Sequence, residues 1–210
     1  MPFGDSKNWN FEIHFTIKNN KEKLLEAYLI QKKLNEMTEK KRIYDELETK
    51  YGKQIVRIGQ LLKQCEGAEP VEIQNLLKRI LLLGTYIKRG ANLYFLSLEY
   101  DLLPQQELRL TVDEAVEAMT VCGTECSVVY HTTKPMLSSE VVRLLDLLKL
   151  VTETTITGLY SLFISVSDSE MDLSVECAAD LSFLVSSNVT IRQEDGLWLI
   201  RTLIGGVNGA

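Results

Sequence analysis

The 210-residue sequence predicts an α+β protein: a long helical hairpin of the kind that builds four-helix bundles, then a sheet domain with helices on one face. Three patterns predict it. Apolar side chains keep a 4,3 spacing from Ile30 to Cys65, and a helical spacing from Ile73 to Leu96. A helix-breaking segment, Glu66-Gly-Ala-Glu69 followed by Pro70, separates those two runs. Beyond Leu103 the pattern shortens to strand-length runs and ends in an Asp-Gly hairpin signal. The expected divisions are an N-terminal segment, residues 1–19, a coiled-coil and helical-hairpin part, 20–103, and an α+β domain, 104–210.

Phe11 to Ile17 alternates apolar and polar residues, which predicts a short strand. Asn19 and Asn20 then offer an N-cap for the first long helix. From Ile30, the row Leu34, Met37, Lys41, Tyr44, Glu48, Tyr51, Ile55, Ile58, Leu62 and Cys65 holds one seam in place, as in a coiled coil feeding a bundle. Lys41 and Glu48 interrupt it. Ile43, Leu47 and Leu61 widen the apolar face, which implies more than two helices packed there. One hairpin cannot bury two apolar faces, so a homodimeric four-helix bundle is the expected solution.

In the second half, Thr111-Val-Asp-Glu114 matches a capping box opening a helix to about Val121. Cys126 to His131 predicts a strand. Ser138 and Ser139 predict the cap of a helix from about Glu140 to Tyr160. Leu162 to Val166 and Leu173 to Ala178 predict strands flanking a polar turn. Val189 to Ile204 predicts a hairpin with Asp195-Gly196 at its tip. Together these predict a mostly antiparallel sheet.

The bulk properties exclude several classes. A net charge of −6 argues against nucleic-acid binding, which needs a basic footprint. No apolar run reaches the roughly 20 residues of a membrane span. Met1 to Asn10 is polar and has no signal-peptide apolar region, so a cytoplasmic location is expected. Cys65, Cys122, Cys126 and Cys177 lack the spacing of a zinc site and are expected as small reduced thiols.

Arg42-Ile-Tyr-Asp-Glu-Leu-Glu-Thr-Lys-Tyr-Gly52 resembles the phosphoacceptor segment of bacterial two-component sensor histidine kinases. Glu46, Leu47 and Gly52 match the pattern. Glu48 stands where the histidine belongs, and Thr49 where the following acid belongs. Tyr86-Ile-Lys-Arg89 with Asn92-Leu93 resembles the second bundle helix of kinase-like proteins. The length and element order of the C-terminal half resemble the α/β-sandwich, GHKL-type ATPase-like domain of that family. The resemblance spans about Lys40 to Gly206.

What the resemblance implies is limited by its departures. Phosphotransfer in that family needs an imidazole nitrogen as nucleophile and a carboxylate to orient it, and a carboxylate at Glu48 cannot form the same phosphoramidate. Glu48 is instead expected to act as a fixed negative charge. The family's magnesium-coordinating helix carries a glutamate and, four residues on, an asparagine. Glu153 fits the first, and Thr157 occupies the second, leaving a weak remnant of a nucleotide site. No glycine occurs between Gly158 and Gly196, so the family's glycine-rich phosphate cradle has no counterpart. Asp180 is expected at the surface, and Gly205 to Gly209 as a frayed tail. His14 and His131 are expected off the bundle helices.

The expectation is a catalytically inactive, histidine-kinase-like signalling scaffold with no metal or cofactor. Its expected partners are a second copy, an active kinase or a response regulator docking near Arg42 to Ile58. The alternative is a divergent histidine kinase or phosphotransferase that binds ATP and magnesium.

Overall fold

The computed structural model describes residues 6–205. The chain forms two compact units, residues 1–52 and 53–210. Helix α1 runs Ser6–Gln64, and α2 runs Pro70–Glu99. Gly67 adopts φ +82° in the connection, and Pro70 opens α2 behind the extended residue Glu69. Proline is preset for that first helical position, so the hairpin break falls where the sequence expects it.

The strand expected over Phe11 to Ile17 is a correction, because those residues, and His14 with them, lie within helix α1. The expected cap at Asn19 and Asn20 falls inside the same helix. Among the described residues every strand lies between Leu102 and Leu203. A lone strand would leave its backbone N–H and C=O groups unpaired, whereas a helix satisfies them internally.

From Lys53 onward, α1 packs on α2 through Leu61, Leu76 and Leu83, with Ile58, Cys65 and Ile80 half-buried around them. The opposite face of α2 enters a larger core. There Leu82, Tyr86 and Leu93 join α3, α4 and the sheet. Helix α3 runs Gln105–Val121 and α4 runs Ser138–Thr155. A two-residue ribbon, β1 (Leu102–Leu103) against β3 (Met136–Leu137), closes the near end.

The main sheet has five strands in the order β2-β4-β5-β7-β6. These are β2 Glu125–Tyr130, β4 Leu159–Val166, β5 Glu170–Cys177, β6 Val189–Glu194 and β7 Leu197–Leu203. Strands β2 and β4 are parallel, which requires a crossover, and α4 supplies it. All other pairs are antiparallel. Alternation along the strands buries Leu162, Ile164, Val166, Met171, Leu173, Val175 and Ile200 and leaves Phe163, Arg201 and Leu203 exposed on the other face.

Two helix starts differ from expectation. Helix α3 begins at Gln105 behind the extended Pro104, so Thr111 is buried in the helix interior, not at a cap. Its hydroxyl donates to the Glu107 carbonyl at 2.6 Å. Helix α4 begins at Ser138 with Leu137 as its cap residue and no side-chain cap. The Ser138 N–H instead donates to Asp101 O at 2.8 Å, which ties the helix to the end of α2. The end of α4 also differs. It stops at Thr155, five residues short of Tyr160, since Leu159 already starts β4. Gly158 accompanies the stop: a Cβ there would lie 3.3 Å from the Ala178 side chain.

At the hairpin tip Asp195 has φ +51° and Gly196 φ +86°. Glu194 pairs with Leu197 across a two-residue loop. Positive φ at both loop positions is the geometry Asp-Gly is suited to.

Candidate functional site

Arg42 organises the stretch of α1 around Glu46 and Glu48. Its guanidinium donates to Glu39 from Nη2 at 2.5 Å and from Nε at 3.1 Å, and to Glu46 from Nη1. These partners stand three and four residues away, the spacing at which helical side chains meet. The guanidinium holds the Glu39 carboxyl below the usual carboxylate range. Glu46 is therefore engaged by Arg42. Thr49 turns its hydroxyl back to the Asp45 carbonyl at 2.8 Å. Glu48 is exposed. Gly52 has ordinary room around it, since a Cβ would meet only the Glu48 side chain, at 3.6 Å. All four positions named from the sequence lie on helix α1, with Glu46, Glu48 and Thr49 exposed and Gly52 half-buried beside the buried Tyr51.

The other two lie in the second unit. Glu153 is half-buried in the last turn of α4, and Thr157 is exposed in the turn that follows the helix. In that turn the Gly158 N–H donates to Thr155 O at 2.8 Å, while the Thr154 and Thr155 hydroxyls return to carbonyls four residues back.

The segment from Ala178 to Asn188 joins β5 to β6 and is folded onto the core. Leu181 is fully buried and Leu184 nearly so, on a short 3-10 turn, Ser182–Leu184. Trp198 Nε1 donates to Ala179 O at 3.0 Å. Asp180 is exposed, as expected, and accepts the Ser182 N–H at 2.8 Å, which lowers its carboxyl pKa. The expected frayed tail, Gly205 to Gly209, lies outside the described residues except for Gly205.

No family model matches the chain, and no curated protein sequence does. The chain is similar in structure to a bacterial phosphotransferase, at 8% identity over 76% of this chain and 92% of that one, with a TM-score of 0.42. It is also similar to the histidine kinase AdeS of Acinetobacter baumannii, at 13% identity over 74% and 96% of the two chains, TM-score 0.36. A third is the histidine kinase ThkA, solved in complex with the response regulator protein TrrA, at 14% identity over 78% and 59%, TM-score 0.33. Identities this low leave the activities of those proteins with them.

Sequence reasoning missed a polar cluster where α2 meets α3 and α4. Arg89, 3% exposed, donates from Nε to the Thr111 hydroxyl at 2.9 Å. From Nη2 it donates to the Glu107 carbonyl at 3.1 Å and to the Glu107 carboxylate at 2.5 Å. One turn earlier, the buried Tyr86 and Thr152 hydroxyls bond at 2.9 Å, and burial pushes the Tyr86 phenol well up from its ordinary pKa. A signal was present. Arg89 interrupts the apolar row Leu82, Tyr86 and Leu93, and a charge in such a row is buried only with a partner.

Proposed function

We propose that the chain is a dimeric, histidine-kinase-like signalling scaffold that does not autophosphorylate. The observation that carries this reading is an uncovered apolar strip on the hairpin. Ile55, Leu62, Leu77 and Leu81 are between 39% and 57% exposed on α1 and α2, while Leu61, Leu76 and Leu83 fill the space between the helices. Apolar side chains at helical spacing on both arms of a hairpin are best buried by a second hairpin, and a second copy supplies a self-complementary one. In this reading residues 20–103 dimerise, and residues 104–210 are a degenerate ATPase-like domain.

Lost chemistry supports the non-catalytic part. Glu48 occupies the position that the resemblance assigns to the phosphoacceptor histidine. The β5–β6 segment is pinned by Leu181, Leu184 and the Trp198 bond to Ala179, instead of offering a glycine-rich loop to phosphates. The stretch from Arg42 to Ile58, where Arg42, Glu46, Glu48 and Thr49 are exposed, is the candidate docking surface for a response regulator or an active kinase, and the cytoplasm is the matching compartment.

Sedimentation of the full chain at micromolar concentration tests the dimer, with Ile55→Asp/Leu81→Asp as its disrupted counterpart. A monomeric wild type would overturn it. Thermal unfolding with millimolar ATP and magnesium tests the inactive domain, since a ligand that binds only the folded state raises the midpoint. No shift is expected. A rise abolished by Glu153→Gln would establish the nucleotide-binding alternative, with Glu153 and Thr157 at its site.

A further inference from the structure

We infer that one turn of α2, Tyr86 to Arg89, is a register lock that makes the helix and the α+β domain move as a single body. The turn carries three polar side chains, and each reaches a different point on the helices beneath. Tyr86 bonds Thr152 on α4, Lys88 reaches Glu114 on α3 at 3.1 Å, and Arg89 engages Glu107 and Thr111 one helical turn away on α3.

Around these bonds the contact is apolar: Leu82, Leu93, Val112 and Met119 belong to the same buried cluster. Apolar contacts alone specify register less strictly, because a core that keeps volume and patterning but lacks specific contacts loses uniqueness before stability. Polar groups are stricter. Turning α2 by one residue would carry Arg89 into the aliphatic cluster with no carboxylate, and burying an unpaired charge is costly. It would also strip Thr111 of its donor. Glu114 adds a further constraint, since its Oε2 is buried without a hydrogen-bond partner and Lys88 is the cation at its other oxygen. In some proteins buried polar groups fix register while adding little stability, and here that role falls on Tyr86 and Arg89, because Lys88 is exposed.

The mechanical consequence concerns how a signal travels. A displacement of α2 in the hairpin is handed to the sheet domain undiminished, with no hinge between Tyr86 and Glu99. Loss of the lock frees α2 from the domain while both keep their secondary structure.

Hydrogen exchange on the full chain tests this. The variant Arg89→Met/Glu107→Leu/Thr111→Val replaces the Arg89 part of the lock, which holds its buried charge, by apolar side chains. The expected result is a thermal midpoint near that of the wild type, with amides from about Tyr86 to Glu99 losing at least tenfold protection relative to β4 and β5. Unchanged protection of α2 in that folded variant would overturn the lock. If the triple variant fails to fold, Arg89→Lys decides, because it keeps the charge but loses the fork that spans Thr111 and Glu107. Selective loosening of α2 there supports the lock, whereas no change, or loss spread evenly over α2 and the sheet, overturns it.

Discussion

Arg89 Nη2 lies 2.5 Å from a carboxylate oxygen of Glu107, and the two side chains differ sharply in exposure, 4% against 27%. The guanidinium is inside and its counter-ion reaches the surface. The two members are therefore unequal under mutation. Glu107→Ala leaves a buried guanidinium with only neutral acceptors, and removing one partner of a buried pair costs about 3–5 kcal/mol. Because Glu107 is partly solvated, the expected loss falls below that range, at about 2–3 kcal/mol. Arg89→Met/Glu107→Leu should cost far less than Glu107→Ala. Urea unfolding of the three proteins checks the order.

Tyr86 and Thr152 give a second asymmetric pair. Thr152 also donates within its own helix, to Leu148 O at 2.8 Å. Tyr86→Phe therefore removes one hydroxyl while Thr152 keeps a partner, at an expected cost of about 1 kcal/mol. Thr152→Val strands a fully buried phenol, and an unsatisfied buried donor costs about 1–3 kcal/mol. Equal losses in denaturant unfolding would show that the phenol finds another acceptor.

The contrast between what was and was not legible follows the range of the interactions. The α1–α2 break at Gly67-Pro70 and the hairpin tip at Asp195-Gly196 depend on backbone chemistry within four residues, and both were readable. The strand order was less so, because the parallel pairing of β2 with β4 is decided by α4 packing across the sheet. Phe11 to Ile17 misled for a related reason: alternation signals a strand only where another strand can pair with it. Thr111 misled through a local pattern overruled by Pro104, which starts α3 six residues before the hydroxyl meant to cap it. At the candidate site the sequence placed Glu46, Glu48 and Thr49 on the first long helix, with Glu48 in its seam row; their exposure comes from the structure. For the Arg89 cluster the sequence signalled only that Arg89 lies in an apolar row; its partners Glu107 and Thr111 come from another helix, and no periodicity points to them.

Backbone sign at the hairpin tip supports a third prediction. Gly196 at φ +86° sits where a side chain is strained, although nothing would crowd its Cβ. Gly196→Ala should cost about 1–2 kcal/mol, the penalty of left-handed backbone for an L-residue. Asp195→Asn, at φ +51°, should be nearly neutral because asparagine tolerates that region. A shift in thermal midpoint for the first variant and none for the second is the expected pair of results.

The last prediction concerns acid. Asp168, at the β4–β5 turn, accepts the Thr133 N–H at 2.8 Å, the Thr132 hydroxyl at 2.8 Å and the Lys134 N–H at 3.3 Å, and so pins the loop after β2. Those donors, led by the Thr133 N–H, lower its carboxyl pKa below the ordinary aspartate value. A depressed folded-state pKa means the unfolded chain binds the proton more readily. The stabilisation is therefore fully present above the unfolded pKa, about 3.9, and is lost as pH falls through the lower folded value. The group is solvent-exposed, so the effect is confined to acid and weakened by salt. Unfolding midpoints from pH 6 to pH 2.5 should fall less steeply below pH 4 in Asp168→Asn than in the wild type. Parallel curves would mean that the loop keeps its place through Gln105, whose side-chain amide donates to Thr132 O from α3, and that Asp168 contributes no acid-labile stability.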